Sequence, residues 1–286
     1  MNDDYELIDS GDGRKLERFG DVTLVRPAGQ AVWRQSLPES AWNNVSAGFD
    51  RADGNRWHNR QNLPDHWNIR VADIMFKLSS TDFGHLGIFP EQRVMWNWIR
   101  ETVRARKEKT GAVSVLNLFA YSGGSTLAAA QGGAEVCHLD ASKGMVDWAR
   151  ENAALNNLQD APIRWIVDDA AGFLRREQKR DRRYDAIILD PPSFGRGKKG
   201  EVFKIQEHLP PLLDLCRDLL SETPAFVLLS CHTSEYSPVI LQNLLAQWMT
   251  PFAGHTTCGE MLLTGADTVI PLPSGAFARW TKGDKK

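Results

Sequence analysis

From Val113 onward, short β-branched or apolar runs alternate with longer amphipathic stretches. Parallel strands need a crossover of helical length between them, so this alternation marks βαβ units and a parallel sheet. Seven strands are expected: VSVLNLF (113–119), AEVCHLD (134–140), IRWIV (163–167), YDAIILD (184–190), PAFVLLSC (224–231), a run near 255–263, and AFARWT (276–281). No helical stretch separates the last two, which read as a hairpin. The fold class is therefore α/β, a doubly wound and mostly parallel seven-stranded sheet.

The chain before this has a different texture. LERFGDVTLVRP, HWNIR, ADIMFKLSS and FGHLGIF alternate polar and apolar residues with Gly or Pro between several of them, which predicts a small antiparallel β region over residues 1–89. The second domain then runs over 90–286, entered by a helix in EQRVMWNWIRETVRAR, where apolar residues recur at helical spacing. Ser36 to Asn62, rich in Asn, Gly, Asp and Trp, reads as a long loop. With 286 residues, 42% of them hydrophobic, the chain can bury a full core and carry a small accessory domain.

No apolar run approaches the roughly 18 residues of a membrane span, and the acidic start MNDDYELIDS lacks the layout of a secretory signal, so a cytoplasmic protein without a membrane partner is expected. Cys137, Cys216, Cys231 and Cys258 lie far apart with no histidine cluster beside them, which suggests neither a disulfide framework nor a metal site. A net charge of −2 gives no global attraction to phosphate, so a nucleic acid would need a local patch.

The first parallel strand ends in LNLFAYSGGSTLAAA, a Gly pair followed by small residues that open a helix, an arrangement that lets backbone approach a ligand closely. Asp140 ends the second strand about 17 residues after Gly123, near the spacing at which an acid reaches ribose hydroxyls; the pairing fits an adenosine ligand. Asp168 and Asp169 end the third strand on the same edge, where Asp169 can accept from an adenine amino group. The alternative role for each acid is a helix N-cap. An Asp-Pro-Pro turn (Asp190, Pro191, Pro192) closes the fourth strand and presents rigid acceptors toward a substrate, or simply ends the strand. A literal GxGxxG, GRGKKG at 195–200, is followed by a strand ending in LLSC with no acid for a ribose, which argues against a dinucleotide site there.

Taken in order, LNLFAYSGG, HLDASKGMVDWARENAALNNL, VDDAAGFL and YDAIILDPPSFGRGK resemble the class I S-adenosylmethionine-dependent methyltransferase family that includes the large-subunit ribosomal RNA cytosine-5 methyltransferases, over about residues 80–240. The resemblance implies a strand order 3-2-1-4-5-7-6 and S-adenosyl-L-methionine as cofactor. It implies Phe119, Tyr121 and Gly123 at the methionine and ribose, Asp140 on the ribose, Asp169 and Ala170 at the adenine, and Asp190 near the methyl group. FGHLGIFPEQR is similar to a segment that packs by the cofactor in the family, which adds Gln92 and Arg93.

The same resemblance implies RNA as partner, with ribosomal RNA methylation as the activity. Carbon 5 of a pyrimidine is a poor nucleophile until a thiolate adds at carbon 6. Cys231, at the end of strand five, stands where the cytosine-5 enzymes of the family place that thiol; the alternative is a buried small hydrophobe. After the Asp-Pro-Pro turn, Arg196, Lys198, Lys199 and Lys204 lie on a Gly-rich loop that can grip a phosphate backbone, and Phe194 can stack on a base or anchor the loop. The basic runs RARKEK and RREQKRDRR are interleaved with acids and read as solvent faces. The 80 residues before FGHLGIF do not read as the RNA-binding module many such enzymes carry. N-methylation of an exocyclic amine, a small-molecule acceptor, and a noncatalytic module that only binds the cofactor are the competing readings.

Overall fold

The computed structural model describes residues 3–51, 54–196 and 202–283, the side chain of Arg196 excepted. Lys198 and Lys199 lie outside the described residues. The chain divides into two compact units, Met1–Val94 with Met261–Ser274, and Met95–Glu260 with Gly275–Lys286.

The first unit holds β1 (Tyr5–Gly11), β2 (Arg14–Phe19), β3 (Val22–Pro27), α1 (Glu39–Asn43), β4 (Ala47–Asp50), β5 (Arg56–His58), β6 (Trp67–Val71) and β7 (Ile74–Leu78). The strands β1 to β5 form one sheet in chain order, antiparallel except for the β3–β4 pair, and β6 and β7 form a separate hairpin. In β3, buried and half-buried residues alternate, the period-two pattern of a strand with one face in the core. That core contains a charge cluster. Glu17, fully buried, receives Arg26 Nε at 2.8 Å, Lys15 Nζ at 3.2 Å and the Tyr5 hydroxyl at 3.1 Å. Burial works to raise the Glu17 carboxyl pKa, but the two cations outweigh it and hold the group below the usual range.

Two expectations fail in this unit. The segment read as a long loop contains α1, β4 and β5, because Ala47 and Phe49 bury alternately and Phe49 meets Trp57 edge-on with ring centroids 5.2 Å apart. A four-residue strand is too short for its period to stand out in the sequence. Conversely, FGHLGIF forms no strand. Gly84 and Gly87 adopt φ +77° and +92°, and a side chain at Gly84 would collide with the Phe49 ring at 2.5 Å.

The second unit opens with α2 (Arg93–Thr110), whose first two residues belong to the first unit. It continues through β8 (Ser114–Leu118), α3 (Gly124–Gln131), β9 (Glu135–Asp140), α4 (Lys143–Leu155), β10 (Ile163–Val167), α5 (Ala170–Lys179) and β11 (Ala186–Leu189). A short hairpin, β12 (Phe194–Arg196) and β13 (Val202–Lys204), precedes α6 (Ile205–Arg217), β14 (Phe226–Cys231), α7 (Pro238–Trp248), β15 (Gly254–Leu263) and β16 (Leu272–Lys282). The large sheet runs β10-β9-β8-β11-β14-β16-β15, the 3-2-1-4-5-7-6 order the resemblance implied. Its first five strands are parallel and β16 is antiparallel to β14. Every residue of β11 and β14 is buried, as expected for central strands covered by helices on both faces. Among the described residues no helix is long and apolar enough to cross a membrane.

Candidate active site

Because β8, β9, β10, β11 and β14 are parallel, their carboxyl ends share one edge, and Asp140, Asp168, Asp169, Asp190 and Cys231 fall on it together. The turn after β8 has an unusual backbone. Phe119, Tyr121 and Gly123 adopt φ +57°, +50° and +97°, three left-handed residues in five, two of them with side chains that disfavour this region. The turn is tied to the neighbouring strand end, since Ala120 N–H donates to Leu139 O at 3.0 Å and Tyr121 N–H donates to Asp140 Oδ2 at 3.0 Å.

The two glycines have different duties. A Cβ on Gly123 would come within 3.1 Å of Ala149 Cβ, so this residue needs both its left-handed backbone and its lack of a side chain. The space beside Gly124 is filled by the Trp96 indole, 2.6 Å from where a Cβ would stand. Both glycines therefore make room for neighbouring elements, Gly123 for α4 and Gly124 for α2, and only Gly123 is left-handed. Asn152, fully buried on α4, donates from Nδ2 to Ser122 O at 2.9 Å and holds the turn from beneath.

Asp140 is half-buried and burial raises its pKa, against the two backbone bonds it accepts from Ser142 N–H at 2.8 Å and Tyr121 N–H. Asp169 is exposed and caps α5, accepting from Gly172 N–H at 2.8 Å, with Ala170 buried behind it. Asp168 accepts from Asp169 N–H and pairs with Arg176. The N-cap role for Asp169 is thus present, and a carboxylate has acceptor sites left over for a ligand.

Asp190 is half-buried and accepts from the Ser230 hydroxyl at 2.8 Å. Pro191 is buried, while Pro192 and Phe194 are exposed, Phe194 at 53%. The hairpin β12–β13 returns Phe203 to a ring distance of 5.3 Å from Phe119. Sequence reasoning missed Phe203, Asn152 and Ser230. Alternation along LLSC was the available signal for Ser230, since adjacent strand residues face opposite ways.

Cys231 has no exposed surface and belongs to the apolar cluster with Ile205, Leu209 and Leu241. Burial pushes its thiol pKa up, its Sγ accepts from Thr233 N–H at 3.4 Å, and the charges of Asp190 and Glu235 add to the rise. Gln92 and Arg93 belong to the first unit. Gln92 is buried there; Arg93 bonds Thr264, faces Asp3 at 3.5 Å and lies over the Tyr5 ring.

A doubly wound sheet in this strand order, with a left-handed turn after the first strand and acids after the second and third, is the architecture of the class I methyltransferases. A family model for S-adenosylmethionine-dependent methyltransferases matches residues 35–245, and the chain belongs to that family. The S-adenosylmethionine-dependent methyltransferase of Agrobacterium tumefaciens is 39% identical in sequence and superposes with a TM-score of 0.91, covering 98% of this chain and 91% of that one. A methyltransferase from Streptococcus mutans, 20% identical, superposes at 0.74 over 98% of this chain and 75% of its own length and shows the fold alone. The ribosomal RNA large subunit methyltransferase K/L of Pseudomonas aeruginosa is 34% identical over 169 residues, 58% of this chain and 22% of that protein. Its counterpart from Pseudoalteromonas atlantica is 39% identical over 125 residues, 43% of this chain and 16% of that protein. The chain spans about a fifth of the length of these curated relatives.

The residues present fit the cofactor this family uses. Asp140, half-buried at the sheet edge beside the left-handed turn, keeps acceptor capacity for ribose hydroxyls after taking two backbone bonds.

Proposed function

We propose that this chain transfers a methyl group from S-adenosyl-L-methionine to RNA, ribosomal RNA first, in the cytoplasm, with residues 90–286 as the catalytic domain. The observation that carries this reading is the meeting of the Phe119–Gly123 turn, Asp140, Asp169 and Asp190 on one sheet edge, in a chain whose relatives are named for ribosomal RNA. Phe119, Tyr121 and Gly123 would hold the methionine and ribose, Asp140 the ribose hydroxyls, and Asp169 and Ala170 the adenine; the family resemblance adds Gln92 and Arg93 as cofactor residues. When bound, S-adenosylmethionine supplies a methyl already activated on a sulfonium, so the protein's work is in-line positioning of the acceptor. Asp190 would orient the reacting groups; Pro191, Pro192, Phe194, Arg196 and Lys198 would meet the acceptor strand. No metal is required by this scheme.

The acceptor atom has two readings. Attack through Cys231 would make it carbon 5 of cytosine. The burial of Cys231 and the upward push on its thiol favour the second, a nitrogen lone pair that needs no covalent adduct. Methyl-labelled S-adenosylmethionine would be given with RNA, ribosomal subunits, DNA, protein and small-molecule fractions from cells lacking the enzyme. Label in ribosomal RNA supports the proposal, and label confined to other fractions overturns the RNA assignment. Tritium release from carbon-5-labelled cytosine, lost in Cys231→Ala, would establish the covalent route; transfer that survives Cys231→Ala excludes it, and nucleoside analysis of the product then tests for the methylated nitrogen.

A further inference from the structure

The Asp-Pro-Pro turn carries two consecutive prolines, which have no N–H to anchor the backbone. Backbone bonds hold only its flanks, where Asp190 N–H donates to Leu118 O at 3.5 Å and Ser193 O accepts from Ile205 N–H at 3.2 Å. Strands β11 and β14 are in register with Leu189 beside Leu229, so Asp190 and Ser230 follow as adjacent residues on neighbouring strands. Along β14 the side chains alternate: Cys231 enters the apolar cluster, and Ser230, only 4% exposed, donates its hydroxyl to Asp190 Oδ1 at 2.8 Å. A second tie lies three residues further along both segments, where the Ser193 and Thr233 hydroxyls are 2.6 Å apart. Thr233 is itself 8% exposed, and its N–H is spent on Cys231 Sγ. The turn is thus fastened at its first and last residues, with the two prolines between.

We propose that Ser230 and Thr233 are positioning residues for methyl transfer. Ser230 fixes the Asp190 carboxylate in one orientation, and Thr233, through Ser193, fixes the proline turn that faces the acceptor. This rests on the role given to Asp190 above. A buried hydroxyl bonded to a carboxylate restricts rotation about the side chain without touching the cofactor, so its loss should reach turnover and spare cofactor binding.

The test uses the full chain, the fraction that accepts label in the experiment above, and saturating cofactor. Ser230→Ala and Thr233→Val are expected to lower kcat roughly tenfold to a hundredfold, the effect of losing one charge-assisted or buried hydrogen bond at a reacting group. Affinity for S-adenosylhomocysteine, measured by calorimetry, and Tm stay close to the parent. Thr233→Ser, which restores the hydroxyl, recovers most of the loss, and Ser193→Ala combined with Thr233→Val falls no further than either alone. Wild-type kcat in Ser230→Ala and Thr233→Val, beside an inactive Asp190→Asn, overturns the clamp and leaves Asp190 standing. A fully active Asp190→Asn removes the role of Asp190 and the clamp with it. If affinity or Tm falls as far as kcat, the two hydroxyls are merely structural and the inference fails; absence of transfer to every fraction overturns it together with the proposed function.

Discussion

His138 sits on β9 with no exposed surface, at the end of a buried polar chain. Asn117 Nδ2 donates to Thr126 Oγ1, which leaves the Thr126 hydroxyl to donate to His138 Nδ1, 2.9 Å away. Burial and the charge of Arg150 lower the imidazole pKa to about 3, from an ordinary value near 6.5. The folded protein therefore keeps this ring neutral while the unfolded chain protonates it below pH 6.5, so stability is lost as pH falls from 6.5 toward 3. At pH 5 the loss is about 2 kcal/mol. Thermal melts at pH 7.5 and 5 should show a smaller acid-induced drop in His138→Phe than in the parent; equal drops would contradict the assignment. The thiols give a second check at this scale. Cys137, pushed by burial to about 11, and the fully buried Cys216 and Cys231 should resist iodoacetamide in the native protein, leaving half-buried Cys258 as the first labelled site in peptide mapping. Single residues were unevenly legible. Asp140, Asp190 and the left-handed glycine could be named from motif spacing, because a strand end and its following turn fix where such residues lie. Whether Cys231 or Ser230 faces the carboxylate depends on strand phase. That Gly124 makes room for Trp96 depends on packing between elements distant in sequence.

Among elements, the parallel strands were readable because each is a short run rich in β-branched and apolar residues, near-continuous in β11 and β14, followed by a helix-length segment. The first unit was harder: β4 and β5 have four and three residues, and pairing partners rather than composition make them strands. Its sheet is held partly by the buried Glu17 cluster, which joins β1, β2 and β3 through Tyr5, Lys15 and Arg26. Arg26 also donates to Gly84 O at 3.0 Å, so it ties the glycine-rich segment to the sheet. Breaking one partner of such a pair leaves an uncompensated buried charge, and Arg26→Ala is expected to lose about 3 to 5 kcal/mol in urea denaturation. A loss below about 1 kcal/mol would mean the carboxylate finds water or Lys15 alone suffices. The run RREQKRDRR shows how burial changes an element's charge. Glu177 is fully buried against Arg164 and Tyr184, so of the two acids in the run only Asp181 faces solvent.

For the whole molecule, a ligand that binds only the folded state raises the melting temperature by mass action. S-adenosylhomocysteine at a hundred times its Kd should add about 2.7 kcal/mol of stability, read by scanning calorimetry. No shift at millimolar ligand would remove the cofactor site from the Phe119–Gly123 turn.

That turn also sets the molecule two tasks that pull apart. Holding Tyr121 at φ +50° costs about 1 kcal/mol relative to a residue at ease there. Asparagine tolerates the left-handed region without loosening the unfolded chain as glycine would. Tyr121→Asn should therefore melt no lower than the parent, and by a degree or more higher, while binding S-adenosylhomocysteine more weakly. Selection for heat resistance and selection for turnover would then favour different residues at position 121, so directed evolution under the two pressures should part company there first.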